Sequence, residues 1–293
     1  MVDGNFKLSV SIMSHVSRAE QLARLEDQIG DQIEYQVSLD PGDLGLWNNA
    51  KRAWANYSPD ATHHMVLQDD VLLSKNFFFV AQKLINQVTP GDSVSFCDNI
   101  VAEMNLAEQN GYHWITTTKV RHAQCIVQPV SQIQDWIHFS DWFFRPEYDY
   151  DDGRLEVYLY KNKRAIWHSV PSLVEHDDQG SVAGEPNDIP STGYKFVGIN
   201  GEAEYKEWRN LNVGFRPANL RLIEKWSIGE VQQINPSDYP SIGIFQLPTS
   251  GLSYNEVIEQ ARADRGITKP YVYQREHPSS ALGRPCGDEN PCD

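Results

Sequence analysis

The run His64-Met65-Val66-Leu67-Gln68-Asp69-Asp70 decides how this chain is read. The mostly apolar residues from His64 to Leu67 fit a short buried strand, and that strand delivers an acidic pair at its end. Ser74 follows as a helix-starting residue. Beyond it Phe77, Val80, Leu84 and Val88 recur at the spacing of one helical face. The local plan is therefore strand, acidic turn, helix.

The same plan occurs twice upstream. Leu8 to Met13 alternates and is β-branched enough for a strand. Ser17 and Glu20 then make a capping-box pattern ahead of Leu22, Leu25 and Ile29, and Gly30 closes that helix. Tyr35 to Leu39 reads as a second strand. After the turn at Pro41-Gly42, Leu46, Ala50, Ala53, Trp54 and Tyr57 share a helical face, with Pro59 beyond its end. Short strands alternating with helices predict βαβ units: an α/β fold with a mixed, mainly parallel sheet flanked by helices. In such sheets ligands bind at the carboxyl ends of the strands.

Downstream, Val94 to Cys97 and Val120 to Val127 are expected as strands, and Ile133 to Phe139 and Leu155 to Tyr160 as helices. Residues 180–198, rich in Gly, Pro, Ser and Asp, are expected to form a loop that closes over a ligand. The catalytic domain is expected to span residues 1–200, with a nucleotide half over 7–100 and an acceptor and metal half over 100–181. Residues 201–293 are expected as an extension, helical at Leu220 to Trp226 and Tyr254 to Ala263, ending in a polar tail. Cys286 and Cys292 in that tail are too few for a zinc site.

The chain has 293 residues and a net charge of −15, a field that repels phosphate backbones and argues against a broad nucleic-acid-binding face. No long apolar run suggests a membrane span, and Met1 to Lys7 lacks the pattern of a signal peptide. Four cysteines make no disulfide framework at this length, and Cys97 and Cys125 sit in apolar runs. A cytoplasmic protein is the expectation, in the host cytoplasm if the source is viral.

Three constellations carry the candidate chemistry. Asp69 and Asp70, at a strand end, suit a hard divalent cation that bridges protein carboxylates to substrate phosphates, where an acidic turn alone would serve only as a cap. Pro171-Ser172-Leu173-Val174-Glu175-His176 is a second apolar run ending in ligand-type residues, and His176 would add a nitrogen that suits Mn²⁺. Tyr148-Asp149-Tyr150-Asp151-Asp152 leads straight into a helix, whose start stabilises a carboxylate as the anion. The alternative there is simple capping.

In this order the three constellations resemble the GT-A glycosyltransferases, over roughly residues 7–181. The family's metal motif after a strand looks like Gln68-Asp69-Asp70, with Gln68 a departure and Asp70 the implied ligand. Its Glu-Asp-X-X-Leu catalytic segment looks like Asp151-Asp152-Gly153-Arg154-Leu155, which makes Asp152 the implied base, with Asp151 beside it. The late histidine ligand is similar to His176, and the phrase ending in His176 and followed by Ser181 is similar to donor-site segments of viral and bacterial sugar transferases. Ser14, His15, Arg18, Asp40, Lys51, Arg52, Gln68 and Asp69 would then face the nucleotide, with Asp40 accepting from a uracil ring.

The resemblance implies transfer of a sugar from a nucleotide donor, a UDP-sugar, with Mn²⁺ or Mg²⁺ held by Asp70 and His176. Deprotonation of an acceptor hydroxyl by Asp152 implies inversion. Trp136, Trp142, Phe143, Phe144 and Tyr148 are candidates for a sugar-stacking wall. A glycan, protein or small-molecule acceptor is expected. The runner-up is a hydroxymethylated base in DNA, with Lys161, Lys163 and Arg164 as phosphate contacts. A metal-dependent nucleotidyltransferase or phosphohydrolase is a rival from another class, but it would show a Gly-rich phosphate loop or denser acidic ligands. An inactive binding module of the same fold is the other rival.

Overall fold

In the computed structural model, which describes residues 6–177, 192–203 and 208–213, the first three strands are arranged as the sequence predicts. β1 (Leu8–His15) lies between β2 (Tyr35–Asp40) and β3 (His63–Gln68), parallel to both, with Ile12 opposite Val37 on one side and Leu67 on the other. The crossovers are α1 (Ala19–Ile29) and α2 (Leu46–Ala55). Strand alternation sends Val10, Ile12, Met65 and Leu67 to one face, where they pack with Leu25 and Ile29 of α1. Met13 and Val66 go to the other face, against Trp47, Ala50, Ala53 and Trp54 of α2. The sheet therefore has a core on each side.

Beyond β3 the chain makes β4 (Val71–Leu73), α3 (Phe77–Ile85), β5 (Ser93–Ser95), α4 (Val101–Gln109), β6 (Trp114–Thr117) and β7 (Cys125–Pro129). Then come α5 (Val130–Phe143), α6 (Asp151–Lys161), β8 (Ile166–Ser169), β9 (Val174–His176) and β10 (Asn210–Asn212). The main sheet runs β10-β6-β8-β5-β7-β3-β1-β2. The pairs β1–β2, β1–β3, β5–β8 and β10–β6 are parallel, against three antiparallel pairs made by β7 with β3 and β5 and by β6 with β8. The fold is the expected mixed, mainly parallel α/β sheet flanked by helices. β4 and β9 form a separate two-stranded sheet.

Several local expectations are corrected. Ser17 lies in a short 3₁₀ turn, Val16–Arg18, capped by the His15 imidazole, which accepts from Ser17 N at 3.1 Å, so α1 begins at Ala19 without the Ser17–Glu20 box. Asn76, in the left-handed region at φ 54°, leads into α3 in place of Ser74. α4 escapes sequence reading because it buries Met104 and Ala107 while leaving Val101 and Leu106 exposed, which blurs the periodicity. β7 begins at Cys125, not at Val120.

The expected loop over 180–198 lies outside the described residues up to 191. Its described end is fastened beside β9: Ser172 N donates to Tyr194 O at 2.9 Å and Tyr194 N to Asp98 O at 2.9 Å. Gly193 fits there because a Cβ would come within 2.6 Å of Val174 O. β10 lies past residue 200 and still joins the main sheet, and Ala203 packs into a core. Ser181, the two expected helices after residue 213 and the cysteine-bearing tail fall outside the described residues. No helix among the described residues is long and apolar enough to cross a membrane.

Candidate active site

The chain turns at Asp69 and Asp70 as it leaves β3, and β4 then pairs antiparallel with β9, Val71 opposite His176. That register delivers the histidine: His176 Nε2 lies 3.1 Å from Asp70 Oδ2. From β1, Ser14 Oγ and His15 N donate to Asp69 Oδ2 at 2.8 and 3.0 Å. The Arg18 guanidinium lies 3.3 Å from Asp69 Oδ1 and contacts Asp70 Oδ2 directly. Both carboxylates are buried, so they depend on neighbouring positive charge and donors.

Asp70 Oδ1 is buried with no hydrogen-bond partner among the described residues. A buried carboxylate oxygen left open beside an imidazole nitrogen is a fitting donor set for Mn²⁺ or Mg²⁺. Among the described residues no three His, Cys, Asp or Glu side chains are grouped to hold a metal. An ion here would rest on Asp70 and His176 and take its remaining ligands from substrate phosphates and water, the usual pattern for phosphate-bridging cations.

The remaining nucleotide candidates divide. Asp40 Oδ1 accepts from Gly42 N, Asp43 N and Leu44 N at 2.7, 3.1 and 3.1 Å. Burial pushes its carboxyl up, but these backbone donors and nearby His15 outweigh it and hold the pKa below the ordinary value. Arg52 donates to Leu39 O at 3.3 Å at the same strand end. Gly42 at φ +117° passes close to His15, which joins this corner to the acidic pair. Gln68 is half-buried, its N–H donating to Gln124 O at 3.0 Å. Lys51 turns toward α5, where Nζ lies 3.1 Å from Asp141 Oδ1.

The acidic segment before α6 is tied to the site by a route invisible in the sequence. Asp149 accepts from Leu46 N and Trp47 N at 2.7 and 2.8 Å, capping α2. About one helical turn further along α2, Asn49 Nδ2 donates to Ser14 O at 2.8 Å. Ser14 in turn holds Asp69. Arg154 braces the segment from beneath, donating to Ser140 O at 2.7 Å and to Tyr148 O, with its guanidinium over the rings of Trp47, Phe144 and Tyr148. The stacking wall is corrected: Trp136, Phe143, Phe144 and Tyr148 are core residues, and only Trp142 of the five keeps appreciable surface.

Asp151 is buried and Asp152 half-buried. Burial raises the Asp151 carboxyl from 3.8 to about 6, with Asp149 adding to the shift and backbone N–H donors and Arg154 offsetting only part of it. The folded state thus favours the protonated form, and the stability this confers is full below about pH 4 and lost as pH rises through about 6. Asp151→Asn is expected to be more stable than wild type at pH 7.5, by up to roughly 3 kcal/mol, and equal to it near pH 4. Thermal melts of both proteins across this range would test it, and parallel profiles would refute it.

Three further residues escaped sequence reading. Asp98, fully buried, accepts from Asn99 N at 2.7 Å and lies 3.0 Å from His168 Nδ1. Burial pushes its carboxyl up, yet His168, His122 and the Asn99 N–H hold it below the ordinary range. His168 Nε2 lies 2.9 Å from Lys119 O, and Asp98 O accepts from Tyr194 N, so this pair joins the loops that follow β5 and β6 to the segment beside β9. His122, 3.2 Å from Asn99 Oδ1, is kept toward its neutral form first by burial, with Arg121 and His176 adding to the shift. None belongs to a sequence motif; their separation along the chain conceals them.

No family model and no curated protein matches the chain. Among solved structures, a mutant Drosophila β-1,4-galactosyltransferase 7 in complex with manganese, UDP-Gal and xylobiose is similar over 58% of this chain and 70% of that chain, with 8% identity and a TM-score of 0.37. A likeness that shallow identifies neither family nor reaction.

Proposed function

We propose that the chain is a metal-dependent glycosyltransferase of the GT-A type that transfers a sugar from a uridine diphosphate donor to an acceptor hydroxyl. The observation that carries this reading is the meeting of Asp70 and His176 at the carboxyl end of β3, with an oxygen of Asp70 buried and open. When bound there, Mn²⁺ or Mg²⁺ supplies neutralisation of the charge that develops on the leaving diphosphate. Asp70 and His176 hold the ion. Asp69 is occupied by Ser14, His15 and Arg18, and so fixes the β1 side of the pocket. Asp40 and Arg52 flank the end of β2, where the uracil and ribose would lie. Asp152 takes the proton from the acceptor hydroxyl, and attack opposite the leaving group inverts the anomeric centre.

A glycan, protein or small molecule is the proposed acceptor. Against modified DNA stands the net charge of −15, which repels a phosphate backbone. Nucleotidyl transfer or phosphate hydrolysis would use the same cation but draws no support from a Gly-rich phosphate loop or a third acidic ligand among the described residues. The decisive test is calorimetry with Mn²⁺ present, followed by a screen of nucleotide sugars for Mn²⁺-dependent hydrolysis. UDP is expected to bind more tightly than GDP or CDP, and a UDP-sugar is expected to be slowly hydrolysed. Tighter binding of GDP or CDP overturns the uridine assignment, and release of inorganic phosphate instead of sugar overturns the transferase.

A further inference from the structure

The Arg18 guanidinium stands beside the position proposed for the cation. It contacts Asp70 Oδ2, the same oxygen that His176 Nε2 approaches at 3.1 Å, and reaches Asp69 Oδ1 at 3.3 Å. Its side chain is 11% exposed and the two carboxylates 5%, so little water is present to screen one positive charge from another. A divalent ion on the open Asp70 Oδ1 would lie within one carboxylate of the guanidinium on Oδ2, and in so dry a place the two positive charges would repel strongly.

We propose that Arg18 and the divalent cation compete for the Asp69–Asp70 pair. Arg18 neutralises the carboxylates until the ion, arriving with a nucleoside diphosphate, displaces its guanidinium, which then pairs with the diphosphate oxygens. The proposal rests on the reading of Asp70 and His176 as cation ligands. An arginine suits both partners, since its planar fork matches carboxylate and phosphate alike. The exchange couples the two ligands. Cation binding alone is weakened by the cost of expelling Arg18, and the diphosphate recovers that cost, so each ligand strengthens the other by the same factor.

The test is Mn²⁺ binding to the full chain, by electron paramagnetic resonance and calorimetry, with and without UDP, for wild type, Arg18→Gln and Arg18→Lys. Wild type is expected to bind Mn²⁺ weakly alone and more tightly with UDP. Arg18→Gln is expected to bind Mn²⁺ alone at least about tenfold tighter than wild type, the scale on which a neighbouring charge alters a carboxylate. UDP should then add less than it does to wild type, since only its direct coordination of the ion remains. The Gln variant should also melt lower without metal and gain more from Mn²⁺, because its carboxylates have lost their counter-ion.

If wild type binds Mn²⁺ with UDP but Arg18→Gln binds Mn²⁺ alone no more tightly than wild type does, the competition is wrong and the cation site stands. If neither protein binds Mn²⁺ even with UDP, the cation reading fails and the competition falls with it. Should Arg18→Gln not fold, Arg18→Lys keeps the charge but loses the fork. It is expected to bind Mn²⁺ alone more tightly than wild type, and unchanged affinity there also overturns the proposal.

Discussion

Asp70→Ala and His176→Ala are each expected to lower Mn²⁺-stimulated turnover by on the order of 10²-fold or more, the scale lost when one stabiliser of developing charge is removed. Both side chains lie at the proposed cation position and outside the hydrophobic clusters. β9 is held by its backbone pairing with β4, which alanine preserves. Asp69 remains to pair with Arg18 when Asp70 is lost. Folding should therefore survive, as circular dichroism and melting would check. The two variants should differ in one respect. Asp70→Ala removes a negative charge beside Arg18 and should strengthen UDP binding without metal, whereas His176→Ala should leave it unchanged. Undiminished Mn²⁺-dependent turnover in either variant would remove that residue from the site.

How much of this was legible beforehand depended on whether the information was local. The β1-α1-β2-α2-β3 unit was readable because each element carries its own periodicity and the connections are short. Asp70 was readable because a carboxylate directly after an apolar strand falls at the sheet's crevice. The pairing of Val71 with His176 spans more than a hundred residues and left no pattern beyond an apolar run, so the partners could be nominated separately but not joined. The antiparallel placement of β7 between β3 and β5 was likewise invisible, because strand order is set by packing and not by any single strand. Asp98 and His168 were missed because a buried polar contact between distant segments has no motif. Asp149 was read only as part of an acidic cluster, because a cap supplied from a hundred residues away breaks the local capping rule. The aromatic wall failed for the opposite reason: a dense run of aromatics is first of all core, and Arg154 with Trp47 completes that core.

The same geometry sharpens the question of the base. Asp149, half-buried like Asp152, is committed to capping α2 through both carboxylate oxygens, and Asp151 is buried, which makes Asp152 the better candidate of the three. Asp152 sits in the first turn of α6, after the N-cap Tyr150, where the helix dipole favours the anion. If it is the base, Asp152→Asn should retain UDP and Mn²⁺ binding by calorimetry and lose sugar transfer by a factor on the order of 10² to 10⁴. If its role is only local, the asparagine amide oxygen can take over the contact that Asp152 Oδ1 makes with Gly153 N at 2.5 Å. Stability would then change by no more than about 1 kcal/mol, the usual worth of a charge at a helix start, and transfer would persist. Near-normal transfer by Asp152→Asn therefore refutes the assignment. It would move the role to Asp151, whose carboxyl, raised to about 6 by burial, would then impose a matching acid limb on the pH dependence of transfer.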